Sequence, residues 1–250
     1  MTIVLPPPHL SQEAKDDWNV LQTSTPSPSA FDPAQTELLP EPVRRWVLHT
    51  IAPGTPLRRA VVLSTHGMIK LDMWREFRAE QTLWPMEGYV WSAAIRAGLL
   101  TVRGFDRYHA GAGQMRWRLL DAFPVMSETG ADVTRSAAGR LAGEFVLAPA
   151  AALDPRVRWK SLDDRHALAS IPVGEEDHEV TLAIAPDGRL EHVTMSRWGA
   201  PDHGPYRQHL FEVTCEDETS FDGFTLPAGL RGSWDGDEFI RFIVDDALFR

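Results

Sequence analysis

Cysteine, lysine and tyrosine are scarce in this 250-residue sequence. Cys215 is the only cysteine, which excludes an intrachain disulfide and fits a reducing compartment. No run reaches the roughly 18 consecutive apolar residues that a membrane-spanning helix needs. The first residues also lack the basic and apolar segments of a signal peptide. From these absences we expect a cytoplasmic protein that does not insert into membranes.

Positive charge is in the minority, with a formal net charge of −10 and a pI near 5.3. Because phosphate backbones repel such a surface, nucleic acid is not an expected partner. The nucleophile elbow, the paired-cysteine metal site and the HExxH motif are all missing from the sequence. His203 and His209 are close in sequence but lack an obvious third metal ligand. We therefore predict that the protein needs neither a metal nor a cofactor.

The sequence divides into an arm and one domain. Residues 1–38 are rich in Pro, Ser, Thr and Gln, and we interpret them as an N-terminal arm that either wraps the domain or is mobile. A short helix is predicted within the arm over residues 11–22, and a second helix follows it over residues 39–49. Because no internal repeat or second boundary is visible, residues 39–250 are predicted to form a single domain.

Period-two alternation dominates that domain and predicts half-buried strands. Short turns that carry Gly or Pro separate the runs, which is typical of an antiparallel meander. Helical spacing interrupts the pattern once, over residues 132–147, just before Pro149. The predicted fold is therefore mainly β, with about ten strands around one helix. The predicted strands cover residues 57–65, 77–83, 88–96, 99–109, 113–121, 157–162, 165–171, 179–185, 190–198, 208–216 and 238–244.

The interrupting helix carries a charged pair, Arg140 and Glu144. Residues four apart share a helical face, so these two side chains can form an ion pair. One interpretation is a solvated surface salt bridge. The other is a pair that faces the sheet, because Ala137, Leu141 and Phe145 lie on or beside the same face. Both interpretations are compatible with the sequence, and we predict the second, in which the pair faces the concave side of the sheet and helps to define a pocket.

A buried ion pair needs hydrogen-bond partners, and the strands offer candidates. Asp106 and Tyr108 alternate along one predicted strand, so they lie on one face of the sheet. Glu80, on another strand, is a third candidate partner. Ordinary core hydrogen bonding is the alternative role for the carboxylate and the phenol. We name Glu144, Arg140, Asp106 and Tyr108 as candidate catalytic residues.

Bulky aromatic side chains are abundant, with nine Trp and eleven Phe. Such rings line either a packed core or a ligand cavity. Trp84, Trp91 and Trp117 fall on predicted strands of the same region. These three tryptophans and Glu80 are our candidate ligand-binding residues, with a packed core as the alternative.

The order and spacing of many short motifs resemble an uncharacterised bacterial family of about this length. The resemblance implies a lipoprotein-carrier-like fold, in which a curved antiparallel half-barrel holds a helix across its concave face. It implies no established reaction. Lipoprotein carriers are exported, and without an export signal this chain is not expected to shuttle lipoproteins. The matching residues span 39–244 and include 39–46, 66–67, 77–81, 88–91, 106–108, 123–125, 140–142, Glu144, 158–159, 197–198, 226–227 and Trp234.

A concave sheet face must be filled, and a helix would fill only part of it. The first hypothesis is a soluble binder of a hydrophobic small molecule or lipid-like ligand. The alternative is a cofactor-independent cyclase or isomerase that acts on an apolar, natural-product-type substrate, since such chemistry needs mainly shape and one or two polar groups. The third is a structural or interaction protein whose half-barrel is fully packed. The ligand, the pathway and the oligomeric state are left open.

Overall fold

The computed structural model describes residues 4–23, 28–201 and 204–250. The arm segments 1–3 and 24–27, and His203, lie outside these ranges. Within the described ranges, thirteen strands form one antiparallel sheet. They are β1 Val61–Lys70, β2 Trp74–Trp84, β3 Gly88–Ala97, β4 Leu100–His109, β5 Ala112–Leu119, β6 Phe123–Thr129, β7 Arg158–Ser161, β8 His166–Val173, β9 Glu176–Ile184, β10 Leu190–Gly199, β11 Arg207–Phe221, β12 Phe224–Trp234 and β13 Asp237–Phe249.

Three α-helices accompany the sheet, and within the described ranges none is long and apolar enough to cross a membrane. They are α1 Gln12–Val20, α2 Glu41–Thr50 and α3 Ala131–Gly143. Short 3₁₀ segments occupy Pro33–Thr36, Glu144–Leu147 and Pro149–Leu153.

The sheet consists of two meanders that meet at its centre. Strands β1 to β6 run outward in sequence order on one side, and β13 back to β7 run outward on the other. The two groups join where β1 pairs with β13, with Val61 opposite Phe249. The chain thus leaves one outer edge at β6, passes through α3 and re-enters at the other edge. This confirms the predicted antiparallel half-barrel, with thirteen strands instead of about ten.

The sequence-based prediction missed β6 and β12. Nearly all β6 side chains are exposed, so this edge strand has no inside-outside alternation to detect, and it contains Pro124. Strand β12 contains Pro227, Gly229 and Gly232, residue types that ordinarily weaken a strand prediction. Its neighbours on both sides nevertheless pair with it. Both omissions therefore concern strands that tertiary pairing stabilises.

Helix α3 lies against the inner face of both meanders, since it packs on β4, β5 and β6 and on β8, β9 and β10. Gly113 allows this contact on one side, because a Cβ there would lie 2.6 Å from the Cα of Thr134. On the other side Gly139 meets Arg197, whose Cγ would lie 3.1 Å from an added Cβ. The predicted helix over 132–147 ends earlier, at Gly143, and continues as a 3₁₀ turn. The α-helix ends at Gly143, and glycine is a weak helix former.

The outer face is covered in part by α1, so the described part of the arm wraps the domain. Ser11 caps this helix by accepting a hydrogen bond from the backbone N–H of Ala14. Arg107 on the outer face forms ion pairs with Asp17 and with Glu13. The apolar side chains that form this outer cluster are Leu10, Ala14, Trp18, Leu21, Val62, Val90 and Phe105.

Candidate functional site

Cross-strand register builds a row of side chains on the inner face beneath α3. Gln81 on β2 is opposite Trp91 on β3, and Trp91 is opposite Asp106 on β4. Met115 on β5 continues the row. Because residues directly opposite one another point to the same face, this pairing brings an amide, an indole and a carboxylate together.

Helix α3 and the 3₁₀ turn that follows it complete the row with two charges, Arg140 and Glu144. The Glu144 carboxylate accepts hydrogen bonds from Gln81 Nε2 at 2.5 Å and from Arg140 Nε at 2.7 Å. Arg140 Nη1 also donates to Asp106 Oδ2 at 3.4 Å, and the indole N–H of Trp117 donates to Asp106 Oδ1 at 3.1 Å. Side-chain exposures are 17% for Arg140, 14% for Asp106 and 23% for Glu144. We call these five residues the charge cluster, which consists of Gln81, Asp106, Trp117, Arg140 and Glu144.

Aromatic rings enclose the Arg140 guanidinium. Its central carbon lies 4.8 Å from the ring centroid of Tyr89 and 4.9 Å from that of Trp91. The Trp91 and Trp117 rings are themselves 5.7 Å apart. Gly104 permits this arrangement, because a Cβ at that position would overlap the Trp117 indole. Aromatic faces thus replace part of the hydration that the buried arginine loses.

Burial and neighbouring charges shift the pKa values of Asp106 and Arg140. Burial raises the pKa of Asp106 to about 6, although Arg140 and the Trp117 indole favour the ionised form. Burial alone would lower the pKa of Arg140, but Glu144, Tyr89 and Asp106 outweigh it and raise that pKa above its usual value. Asp106 can therefore titrate near neutral pH.

Arg197 on β10 faces the same interior and was not among the predicted site residues. Its guanidinium stacks on Phe211 at 4.8 Å and on Trp234 at 4.7 Å. Nε and Nη2 donate to the backbone carbonyl of Ser136 on α3, at 3.4 and 3.3 Å. Burial lowers the pKa of Arg197 to about 10. Arg197 lies two residues after the inward-facing Met195 on the same strand. The period-two alternation of that strand could therefore have placed Arg197 on the inner face.

The other predicted site residues separate into two groups. Tyr108 is buried on the inner face. Its hydroxyl lies beside Gly174 in the β8–β9 turn, since a Cβ added at Gly174 would be 2.8 Å from the hydroxyl oxygen. Glu80 is exposed on the outer face, and Trp84 packs against the cluster beneath α1. These two placements correct the prediction that both residues line the concave site. The inward position on β2 belongs to Gln81, which takes the partner role proposed for Glu80.

An apolar surface lies on the same inner face of the sheet as the charge cluster. Its side chains pack against the main core yet remain partly exposed, and register places Ile69 of β1 opposite Ile240 of β13. We call this surface the apolar trough. It comprises Ile69, Val102, Phe211, Val213, Ile240 and Phe242.

Two recesses lie on the outer face of the sheet instead, and neither is lined by a predicted site residue. One, of about 80 Å³, is formed by β4 and β5 together with His9. The other, of about 280 Å³, is formed by outward side chains of β9, β10 and β11, together with His166. In the described ranges, no three His, Cys, Asp or Glu side chains are grouped to hold a metal ion. His209 instead places Nδ1 2.6 Å from Asp235 Oδ2.

The sequence pattern of a family of unknown function, DUF6544, matches residues 29–242. The chain belongs to this family. No curated protein matches it. Membership of DUF6544 accounts for the predicted resemblance and supplies no reaction.

Solved structures of three other proteins are similar to this DUF6544 chain. A putative outer membrane lipoprotein-sorting protein domain from Vibrio parahaemolyticus is 12% identical, with 76% of this chain and 85% of that chain covered and a TM-score of 0.42. A LolA superfamily protein from Nitrosomonas europaea is 10% identical, with 84% and 92% covered and a TM-score of 0.45. A DUF1329 family protein from Desulfovibrio piger is 12% identical, with 88% and 94% covered and a TM-score of 0.35.

Proposed function

We propose that this protein binds a hydrophobic small molecule or lipid-like ligand on the concave face of its half-barrel. The observation that carries the proposal is the partly exposed apolar trough on the same inner face that holds the buried charge cluster. Apolar surface left open on a concave face commonly marks a ligand site. The apolar body of the ligand would lie along the trough, and a polar group would meet Arg140 or Glu144.

The energetics favour a ligand that is mostly apolar. Each Å² of apolar surface removed from water contributes about 25 cal/mol, so covering the trough is favourable before any polar contact forms. The charge cluster is already hydrogen-bonded internally, and it therefore provides selectivity more than affinity. A lipid-like ligand should therefore bind more tightly than a small polar metabolite.

Native mass spectrometry of freshly purified protein tests this directly, because a bound apolar ligand should survive as added mass. An environment-sensitive fluorescent fatty acid then measures affinity. Ile240→Ser should weaken probe binding by about fivefold or more, since Ile240 lines the trough. Ile243→Ser is the matched control, on the same strand but exposed on the outer face, and should stay within about twofold of wild type. Equal effects of the two substitutions, or no probe binding by wild type, would refute the proposal.

A second candidate function is favoured by the proton affinity of Asp106. A buried carboxyl group with a pKa of about 6, held by Arg140 and Trp117, is suited to general acid-base catalysis without a cofactor. This is the cyclase or isomerase alternative, in which the trough would fold an apolar substrate. Asp106→Asn should then retain a co-purified molecule that differs chemically from the one held by wild type. Identical ligands in both proteins would favour simple binding.

A further inference from the structure

Three neighbouring hairpin turns of the first meander carry exposed apolar side chains at their tips. Leu99, in the β3–β4 turn, has a relative exposure of 104%, and Phe123, beside the β5–β6 turn, is 64% exposed. Of the thirteen large apolar side chains exposed in the described ranges, seven lie between residues 71 and 125. We call the tips the apolar rim, and its members are Leu71, Met73, Leu99, Leu100, Leu120 and Phe123.

Topology places these tips side by side. In an antiparallel meander, alternate turns lie at the same end, so the β1–β2, β3–β4 and β5–β6 turns share one end of the sheet. Adjacent strands are about 4.8 Å apart, so consecutive tips are separated by about 10 Å and the rim extends over about 20 Å. Isolated exposed leucines are ordinary, whereas three adjacent apolar tips form a surface that water contacts unfavourably.

The charge around the rim is opposite in sign to that of the whole chain. Residues 70–78, 96–103 and 116–123 contain seven Lys or Arg against three Asp or Glu, a net of +4, whereas the chain carries −10. Lys70 and Arg78 have no carboxylate within ion-pair distance in the described part of the chain. A partner for this surface therefore combines an apolar layer with negative charge.

The smaller outer recess lies next to the rim and is basic. Arg103, Arg116 and Arg118 line its cavity of about 80 Å³, together with His9 and Asp121. Asp121 accepts from Arg103 at 2.7 Å, while Arg116 has no carboxylate partner among the residues that the structure describes. Guanidinium groups around a small recess suit the tetrahedral oxygens of a phosphate.

We propose that the apolar rim docks on a phospholipid membrane surface, with its hairpin tips among the acyl chains and the arginine recess on a lipid phosphate. The observations combine the two attractions that hold peripheral proteins on membranes, which are apolar burial at the headgroup boundary and attraction to anionic lipids. The charge asymmetry orients the molecule, because its acidic remainder faces away from the bilayer. This proposal does not depend on whether the concave face holds a ligand.

Vesicle sedimentation tests it with the intact protein. Vesicles of phosphatidylcholine with phosphatidylglycerol should bind the protein more strongly than phosphatidylcholine alone, and added salt should weaken binding. The double variant Leu99→Ser/Leu100→Ser should reduce the partition coefficient by about tenfold or more. Leu38→Ser is the matched control, since Leu38 is 99% exposed but far from the rim in sequence and on no hairpin.

Charge is tested with Arg116→Gln, which should weaken binding to the mixed vesicles by about threefold. Binding to phosphatidylcholine vesicles should weaken less, because that lipid carries a phosphate but no net charge. Arg158→Gln, at an exposed arginine of β7, is its control and should change neither. Absence of binding to both vesicle types, or an equal loss with Leu38→Ser, would overturn the proposal. Analytical ultracentrifugation tests for a second copy of the chain on the rim. If wild type forms a dimer that the Leu99→Ser/Leu100→Ser variant does not form, and wild type does not bind vesicles, a second copy covers the rim instead of a membrane.

Discussion

Arg140 connects two carboxylates and two aromatic rings, so its removal should affect stability more than any single partner. Arg140→Ala leaves Asp106 and Glu144 with no guanidinium and uncovers Tyr89 and Trp91. We expect a loss of about 2–3 kcal/mol in the free energy of unfolding, because both carboxylates stay largely buried. Urea denaturation measures this loss.

Two further substitutions serve as comparisons for the stability loss expected of Arg140→Ala. Glu144→Gln preserves the shape and the hydrogen bonds, so it should cost about 1 kcal/mol or less. Arg158→Ala removes an exposed ion pair with Asp177 and should also cost under about 1 kcal/mol. If Arg140→Ala costs no more than Arg158→Ala, the pair behaves as a solvated surface salt bridge.

Asp106 should make stability depend on pH in an unusual direction. Its pKa is raised from 3.8 in the unfolded chain to about 6, so the folded protein holds this proton more tightly. The resulting stabilisation is complete below pH 4 and is lost as the pH rises to about 6 and above. Urea denaturation from pH 4 to pH 8 should show wild type losing stability relative to Asp106→Asn across that interval. A relative gain by wild type would contradict the assigned pKa.

The four-residue spacing of Arg140 and Glu144 was enough to predict that they pair. It could not choose between solvent and sheet, because that choice depends on the loop that places α3 over the strands. The structure brings Asp106 and Gln81 to the pair. The catalytic role of these residues remains a prediction.

At the scale of elements, α1 behaves as part of the folded domain. Trp18 is fully buried against the outer face, and its indole N–H donates to the Val4 carbonyl at 3.0 Å. Trp18→Ala should cost about 3–5 kcal/mol or release the segment from the sheet. Hydrogen exchange over residues 4–23 should therefore accelerate markedly. The same measurement on Val20→Ala, at an exposed position of α1, should resemble wild type. Unchanged protection in Trp18→Ala would show that this contact does not hold the arm.

The division of the chain into an arm at 1–38 and a domain at 39–250 stays a prediction. Phe31 of the proposed arm belongs to the main core, and its backbone N–H donates to the Thr55 carbonyl at 2.8 Å. Contacts such as these join residues that are distant in sequence, so composition alone could not reveal them.

At the scale of the whole molecule, charge is distributed unevenly. The net charge of −10 led us to expect no nucleic-acid partner, yet the surroundings of the apolar rim are basic. The net charge adds up all charged residues of the sequence, so it cannot show that folding places basic residues on one surface and acidic residues on others. The cytoplasmic location stays a prediction.

The sequence by itself determined the antiparallel class, most of the strands and the single helix between two meanders. Those features depend on local periods of 2 and 3.6 residues, which neighbouring side chains carry. Only the tertiary structure decided that β1 pairs with β13, nearly the full domain apart in sequence. It also decided that Arg197 faces the same interior as Arg140, because α3 packs on both meanders at once. Such contacts depend on the register of distant strands, which no local pattern specifies.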